Sequence, residues 1–201
     1  MNYYIDFDCT LYDTEKLIDE LIEKFATLLG KNNYSETYKY LTNEFKINRV
    51  HDIYEFCNIL AEKYKANATT LVDLINSTLC DGKKFVYPDA IDFLKAIKPN
   101  KINILTFSAN PSIKYQKLKI SGSGLEEFFD EIIITDKSKA DQNIDYADSV
   151  FIDDSPKVIA ELYEKRPLKI IRINRENSTY SKIKLPENII VSEVNSLTDI
   201  I

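Results

Sequence analysis

Tyr3-Tyr4-Ile5-Asp6-Phe7-Asp8-Cys9-Thr10 opens the chain with an apolar run that leads into two aspartates, two positions apart, and then a threonine. In a β-strand, side chains i and i+2 share one side of the sheet. The spacing therefore predicts that Asp6 and Asp8 emerge together at the end of a buried strand. Two carboxylates that close repel each other unless a cation or a reacting electrophile uses them. The pattern points to a metal-assisted site, with a polar turn after an N-terminal strand as the plainer reading.

Beyond this strand, residues 14–80 read as almost entirely helical. Leu17, Ile18, Leu21, Ile22, Phe25, Leu28 and Leu29 recur at helical spacing, and Gly30 ends the run. Ser35–Phe45 gives a second, Tyr-rich helix. Val50–Tyr64 gives a third, with Ile53, Tyr54, Cys57, Leu60, Ala61 and Tyr64 on one face, and Ala68–Leu79 a fourth. Asp81-Gly82 is a turn signal that closes the block.

From Phe85 the pattern changes. Pro88 opens a helix through Ile97, and Lys101–Phe107 is a strand. Asn110-Pro111 caps the next helix, with proline at its first position. Strands follow at Glu131–Thr135 and Ser149–Ile152, and Ser155-Pro156 starts another helix in the same manner. Lys169–Ile173 and Ile189–Val191 are the last predicted strands. Strands alternating with helices at this spacing argue for a parallel sheet with helices on both faces. A single short first strand cannot fold alone, so it joins the later sheet and the helical block becomes an insertion over the site. In open parallel sheets ligands bind beyond the carboxyl ends of the strands, which places Asp6 and Asp8 in the binding crevice.

Composition narrows the classes of function. The 201 residues suffice for one domain with a sizeable core, or one with an insertion. A formal net charge of -6 argues against a general binder of nucleic acid or anionic membranes. No apolar stretch approaches the roughly 20 residues of a membrane span, and Met1-Asn2-Tyr3-Tyr4 lacks the features of a signal peptide. Three cysteines, Cys9, Cys57 and Cys80, form no CxxC pair, which argues against a disulfide framework or a zinc site. Free thiols fit a reducing cytoplasm. Cys9 sits among acidic neighbours that disfavour a thiolate, so it reads as a small filler in a tight loop.

A parallel sheet would gather four strand ends. The first offers Asp6, Asp8 and Thr10, and the second the hydroxyl of Thr106. The segment after the third carries Lys137 and Lys139, and the fourth, Val150-Phe151-Ile152-Asp153-Asp154, again ends in paired aspartates. Taken singly these have plain readings: Asp153-Asp154 as an acidic helix start favoured by the macrodipole, Thr106 as an ordinary strand threonine, a lysine as a solvated charge. Together and in order those readings lose weight. Ser108 and Asn110 either contact phosphate or cap the following helix. His51, the only histidine, reads as a surface or capping residue. Tyr34, Tyr38, Tyr40, Tyr54 and Tyr64 read mostly as core or interface, with one or two of them facing the crevice.

This ordered set resembles the haloacid dehalogenase superfamily, whose members are mostly phosphatases. The resemblance rests on Asp6-Phe7-Asp8-Cys9-Thr10, Thr106, the lysine pair and Phe151-Ile152-Asp153-Asp154, and covers residues 1–14 and about 85–192. Cys9 stands where the family often has glycine. The resemblance implies an α/β fold: a Rossmann-like parallel sheet core of residues 1–14 and 85–201, with an inserted all-helical cap of residues 15–84. It implies that Asp6 is the nucleophile and that Asp8 is the general acid and then base. Thr106 would contact the transferring phosphoryl group, with Ser108 as a further substrate contact. Lys139, preferred to Lys137, would balance charge. Mg²⁺ would be held by Asp6, the backbone carbonyl of Asp8, Asp153 and Asp154. Family dehalogenases lack an aspartate at the place of Asp8, so the expected substrate is a small phosphorylated metabolite and not a haloacid. A phosphomutase and a catalytically silent phosphate-binding protein are the alternatives.

Overall fold

The computed structural model describes residues 1–30, 52–109, 112–144, 146, 148–165 and 169–201. Among them six strands form one fully parallel sheet: β1 (Asn2–Ile5), β2 (Lys101–Phe107), β3 (Glu131–Thr135), β4 (Ser149–Asp153), β5 (Lys169–Ile173) and β6 (Ser192–Val194). Their order is β3-β2-β1-β4-β5-β6. The described helices are α1 (Thr14–Leu28), α2 (Ile53–Tyr64), α3 (Ala68–Cys80), α4 (Pro88–Ile97), α5 (Ile113–Ser123) and α6 (Pro156–Lys165). The α/β architecture read from the alternation is the one the chain adopts.

Both faces of the sheet are covered, and alternation along each strand sorts the core in two. Ile5, Ile102, Ile104, Val150, Ile152, Ile171 and Ile173 belong to the larger cluster, which also takes the buried faces of α1 to α5. Tyr4, Leu105, Phe151 and Ile170 point the other way and pack with Ile159 and Leu162 of α6. Tyr4 stacks on Phe151 with ring centroids 5.0 Å apart. Strands buried on both sides read as nearly continuous apolar runs, as parallel strands do.

The chain leaves β1, makes three described helices and returns through a small bridge. Tyr12 pairs with Val86 in antiparallel fashion. The Asp13 amide donates to Phe85 O at 2.7 Å, and the Tyr87 amide to Leu11 O at 3.0 Å. Each of these helices has a local start signal: Asp13, Asp52 and Asn67 side chains accept first-turn amides of α1, α2 and α3. Helix α3 packs directly on α5. A Cβ on Gly122 of α5 would stand 1.8 Å from Leu79 O, so only glycine permits this approach.

Some expectations shift. Val50 and His51, the Ser35–Phe45 helix with Tyr34, Tyr38 and Tyr40, and the Asn110-Pro111 cap lie outside the described residues. The third predicted helix is described from Ile53, after the Asp52 cap. The last strand is Ser192–Val194, not Ile189–Val191. Ile189 closes a turn from Pro186, donating to its carbonyl at 2.9 Å, and buries its side chain under the sheet, while Ile190 is 81% exposed. An apolar tripeptide with one buried and one solvated isoleucine mimics a strand without being one. Among the described residues, no helix is long and apolar enough to cross a membrane.

Candidate active site

Strand register brings the four expected segments to one place. Ile5 lies between Ile104 of β2 and Ile152 of β4, so Asp6 emerges level with Leu105 on one side, one residue before Thr106, and with Asp153 on the other. The Asp6 amide continues the ladder to Ile152 O at 2.8 Å. The chain order reverses direction across the sheet between β1 and β4, the switch point at which open α/β sheets form their crevice. A cleft of about 390 Å³ opens there, with Asp6, Asp8, Thr106, Lys139, Asp153 and Asp154 in its wall.

Asp6, Asp153 and Asp154 are buried and each offers a carboxylate oxygen within 4.8 Å of the others. Lys139 lies between two of them: its ammonium donates to Asp6 Oδ1 and, at 2.7 Å, to Asp153 Oδ2. Burial pushes the Asp6 carboxyl up to about 7; the Lys139 charge opposes this, and the Asp153 and Asp8 charges add to it. Burial, with the Asp6 and Asp153 charges, pushes Asp154 up to about 9. Burial alone would weaken the Lys139 ammonium, but Asp153 and Asp6 hold its pKa above the usual lysine value. Fully ionised, three buried carboxylates outnumber the one ammonium, and an all-oxygen donor set of this kind suits a hard divalent cation in place of the protons.

Asp8 is set apart from that trio. Its Oδ1 accepts from the Thr14 hydroxyl and the Lys119 ammonium, and its Oδ2 from Gln116 Nε2 at 2.7 Å. Gln116 Nε2 also donates to Thr106 Oγ1 at 3.2 Å. Burial would raise the Asp8 carboxyl, yet the Lys119 charge and the three hydrogen bonds outweigh it and hold the pKa below the ordinary value. The two aspartates of one motif thus have opposite electrostatics, which is how paired carboxylates take separate roles.

Of the two candidate lysines, Lys139 is in the cleft and Lys137 is exposed. Ser138, between them, accepts the Ala140 amide at 3.2 Å, and the tight turn that follows swings Lys139 inward. Ser108 is buried but absent from the cleft wall; its hydroxyl lies 3.4 Å from Ala109 O. Cys9 adopts φ 55°, the left-handed region that favours glycine. Its thiol is pushed up by burial and by the Asp154 and Asp8 charges, so it is no nucleophile.

Sequence reasoning missed several site residues. Ser178 donates to Asp154 Oδ2 at 3.2 Å, from the loop that follows β5. Arg175 in the same loop donates to Thr10 O at 2.8 Å and grips both oxygens of Asp89, at 2.7 and 2.9 Å. Its guanidinium lies 4.0 Å from the Tyr87 ring centroid. Gln116 and Lys119 were missed as well, although α5 carried a signal: its buried face is Gln116, Lys119, Ile120 and Ser123, mostly polar.

Comparison with known proteins agrees with this geometry. A family model described as haloacid dehalogenase-like hydrolase matches residues 4–159. The chain belongs to that family. Its fold is likewise shared with solved structures of the superfamily. The HAD hydrolase YfnB from Bacillus subtilis, solved bound to magnesium, is 16% identical with a TM-score of 0.66, over 99% of this chain and 96% of that one. A HAD phosphatase from Thermococcus onnurineus is 20% identical with a TM-score of 0.63, over 99% and 95%. The L-2-haloacid dehalogenase from Xanthobacter autotrophicus, solved with chloropropionic acid covalently bound, is 16% identical with a TM-score of 0.61, over 99% and 96%. No curated protein matches the sequence. Family membership makes the chain a hydrolase, and its neighbours in fold include both phosphatases and dehalogenases.

Proposed function

We propose that this hydrolase is a Mg²⁺-dependent phosphatase that cleaves a small phosphate monoester in the cytoplasm through an aspartyl-phosphate on Asp6. The observation that carries the reading is Asp8, a second carboxylate in the cleft wall, outside the carboxylate trio and tied through Gln116 to Thr106. A leaving alkoxide needs a proton and a leaving halide does not, so a placed acid–base group favours an oxygen leaving group.

The residues account for the chemistry as follows. An Asp6 carboxylate oxygen attacks phosphorus, and the bond to the ester oxygen breaks with its electron pair passing to that oxygen. Asp8 gives the proton that makes the leaving group an alcohol. The incoming phosphate brings negative charge beside Asp8, which raises its hold on that proton. Water then attacks the phosphorus of the aspartyl-phosphate and gives a proton to Asp8; the phosphorus–Asp6 bond breaks, restoring the carboxylate and freeing phosphate. Thr106 donates to the phosphoryl oxygens and Lys139 balances charge around Asp6. Asp6, Asp153, Asp154 and the Asp8 carbonyl would hold Mg²⁺, which supplies charge neutralisation between carboxylates and phosphate.

Residues 15–84 act in this reading as a helical cap over the core of residues 1–14 and 85–201, closing on substrate and shedding water. The YfnB structure was described with interdomain movement, which is in line with such a cap. The test is phosphate release from a panel of nucleotides, sugar phosphates and other small esters, with and without Mg²⁺, beside halide release from 2-chloropropionate. Mg²⁺-dependent phosphate release supports the reading. Halide release with no phosphate release from any ester would overturn it, and phosphoryl transfer to a second sugar in place of water would make the protein a mutase.

A further inference from the structure

Helix α5 is unusual for a helix buried between a sheet and neighbouring helices, because its inward face is polar. Gln116 and Lys119, one turn apart, are both buried. A buried ammonium is unfavourable unless paired and hydrogen-bonded, and Lys119 is paired with Asp8. It also lies 5.4 Å from the Tyr115 ring centroid and 5.9 Å from that of Phe7. The close approach of α3 at Gly122 fixes α5 in place. A polar inward face with such specific partners needs a reason beyond stability, since an apolar face would fill the same space at less risk.

The reason lies in how the donors divide the Asp8 carboxylate. Oδ1 takes two donors, Thr14 from the start of α1 and Lys119 from α5. Among the described residues Oδ2 takes only Gln116, and the side chain stays 28% exposed. Oδ1 is therefore the anchored oxygen, and Oδ2 keeps a lone pair free for a proton in transit. The second hydrogen of the same Gln116 amide is spent on Thr106. We propose that Lys119 is a positioning residue for Asp8: with Gln116 it fixes the free oxygen of Asp8 at the cleft wall, in register with the Thr106 hydroxyl. The inference rests on the phosphatase reading, in which Asp8 protonates the oxygen leaving phosphorus.

A positioning role shows in which substrate suffers. p-Nitrophenolate leaves without a proton, whereas the alkoxide of glycerol phosphate does not. Lys119→Met is expected to lower kcat/KM, which reports the steps through departure of the leaving group and not the later attack of water, on glycerol phosphate by about 10²-fold and on p-nitrophenyl phosphate by less than about threefold. Lys119→Arg restores part of the glycerol phosphate rate. In an Asp8→Asn background, Lys119→Met changes neither rate further, because Lys119 acts through Asp8. Thermal melting confirms that each variant is folded, and if Lys119→Met is not, Gln116→Leu is read by the same criteria. Equal losses on both esters, or the same loss with and without Asp8, would overturn the inference while leaving the phosphatase reading intact. A wild-type protein that releases no phosphate from either ester or from the wider panel would overturn both.

Discussion

The Lys139 ammonium lies 2.7 Å from Asp153 Oδ2, with both side chains buried. The same ammonium touches Asp6, so one cation serves two carboxylates that otherwise repel. Removing one partner of a buried pair leaves an uncompensated charge, at a typical loss of 3–5 kcal/mol. Lys139→Met is therefore expected to destabilise the metal-free protein by about 3 kcal/mol at pH 8, measured by urea unfolding. It also abolishes turnover. Lys137→Met, at an exposed position, changes stability by less than about 0.5 kcal/mol.

The raised carboxyls of Asp6 and Asp154 predict how metal and pH act together. Their ordinary value is 3.8, and the fold pushes them up to about 7 and about 9. Between the ordinary and the raised values the folded protein holds protons that the unfolded chain has lost. Stability then falls as pH rises through that window and levels off above the raised values. A divalent cation replaces those protons. Mg²⁺ should accordingly raise the melting temperature more at pH 8 than at pH 6, and EDTA should reverse the gain. An equal gain at both pH values would contradict the assignment of the trio as the cation site.

Asp89 has the opposite sign. Burial would raise it, but hydrogen bonds from Arg175, Ser196 and the Leu197 amide, with the Arg175 charge, hold its carboxyl below the ordinary 3.8. A depressed carboxyl adds stability that is complete above the ordinary value and is lost as pH falls through the folded one. Asp89→Asn leaves the buried Arg175 guanidinium without its charge partner and should cost about 3 kcal/mol at pH 7. The gap between variant and wild type, measured by urea unfolding, should narrow below about pH 4.

Much of this was legible in the sequence, for identifiable reasons. Asp6, Asp8, Thr106, Asp153 and Asp154 lie at or just past strand ends, where the apolar run stops and a polar side chain with no local partner stands out. Parallel register does the rest, because Ile5, Ile104 and Ile152 are level. The sequence favoured Lys139 over Lys137 without showing the cause, which is one tight turn after Ser138. Arg175 and Ser178 come from a loop about 165 residues after Thr10, and nothing local marks them as neighbours of the first strand. The isoleucines at 189 and 190 misled because burial of one and exposure of the other is a turn property, not an alternation. Helix α5 was legible in principle: a helix without an apolar stripe between two buried layers is a sign that its inward polar groups have work to do.

The proposed reaction turns on the covalent bond from Asp6 to phosphorus. Comparing Asp6→Asn with wild type on the best ester of the panel at saturating Mg²⁺ isolates that bond. Asparagine keeps the shape of the side chain and removes the attacking carboxylate. Steady-state phosphate release should fall by at least about 10³-fold while thermal melting shows an intact fold. Release within tenfold of wild type from a folded Asp6→Asn protein would contradict the covalent role of Asp6.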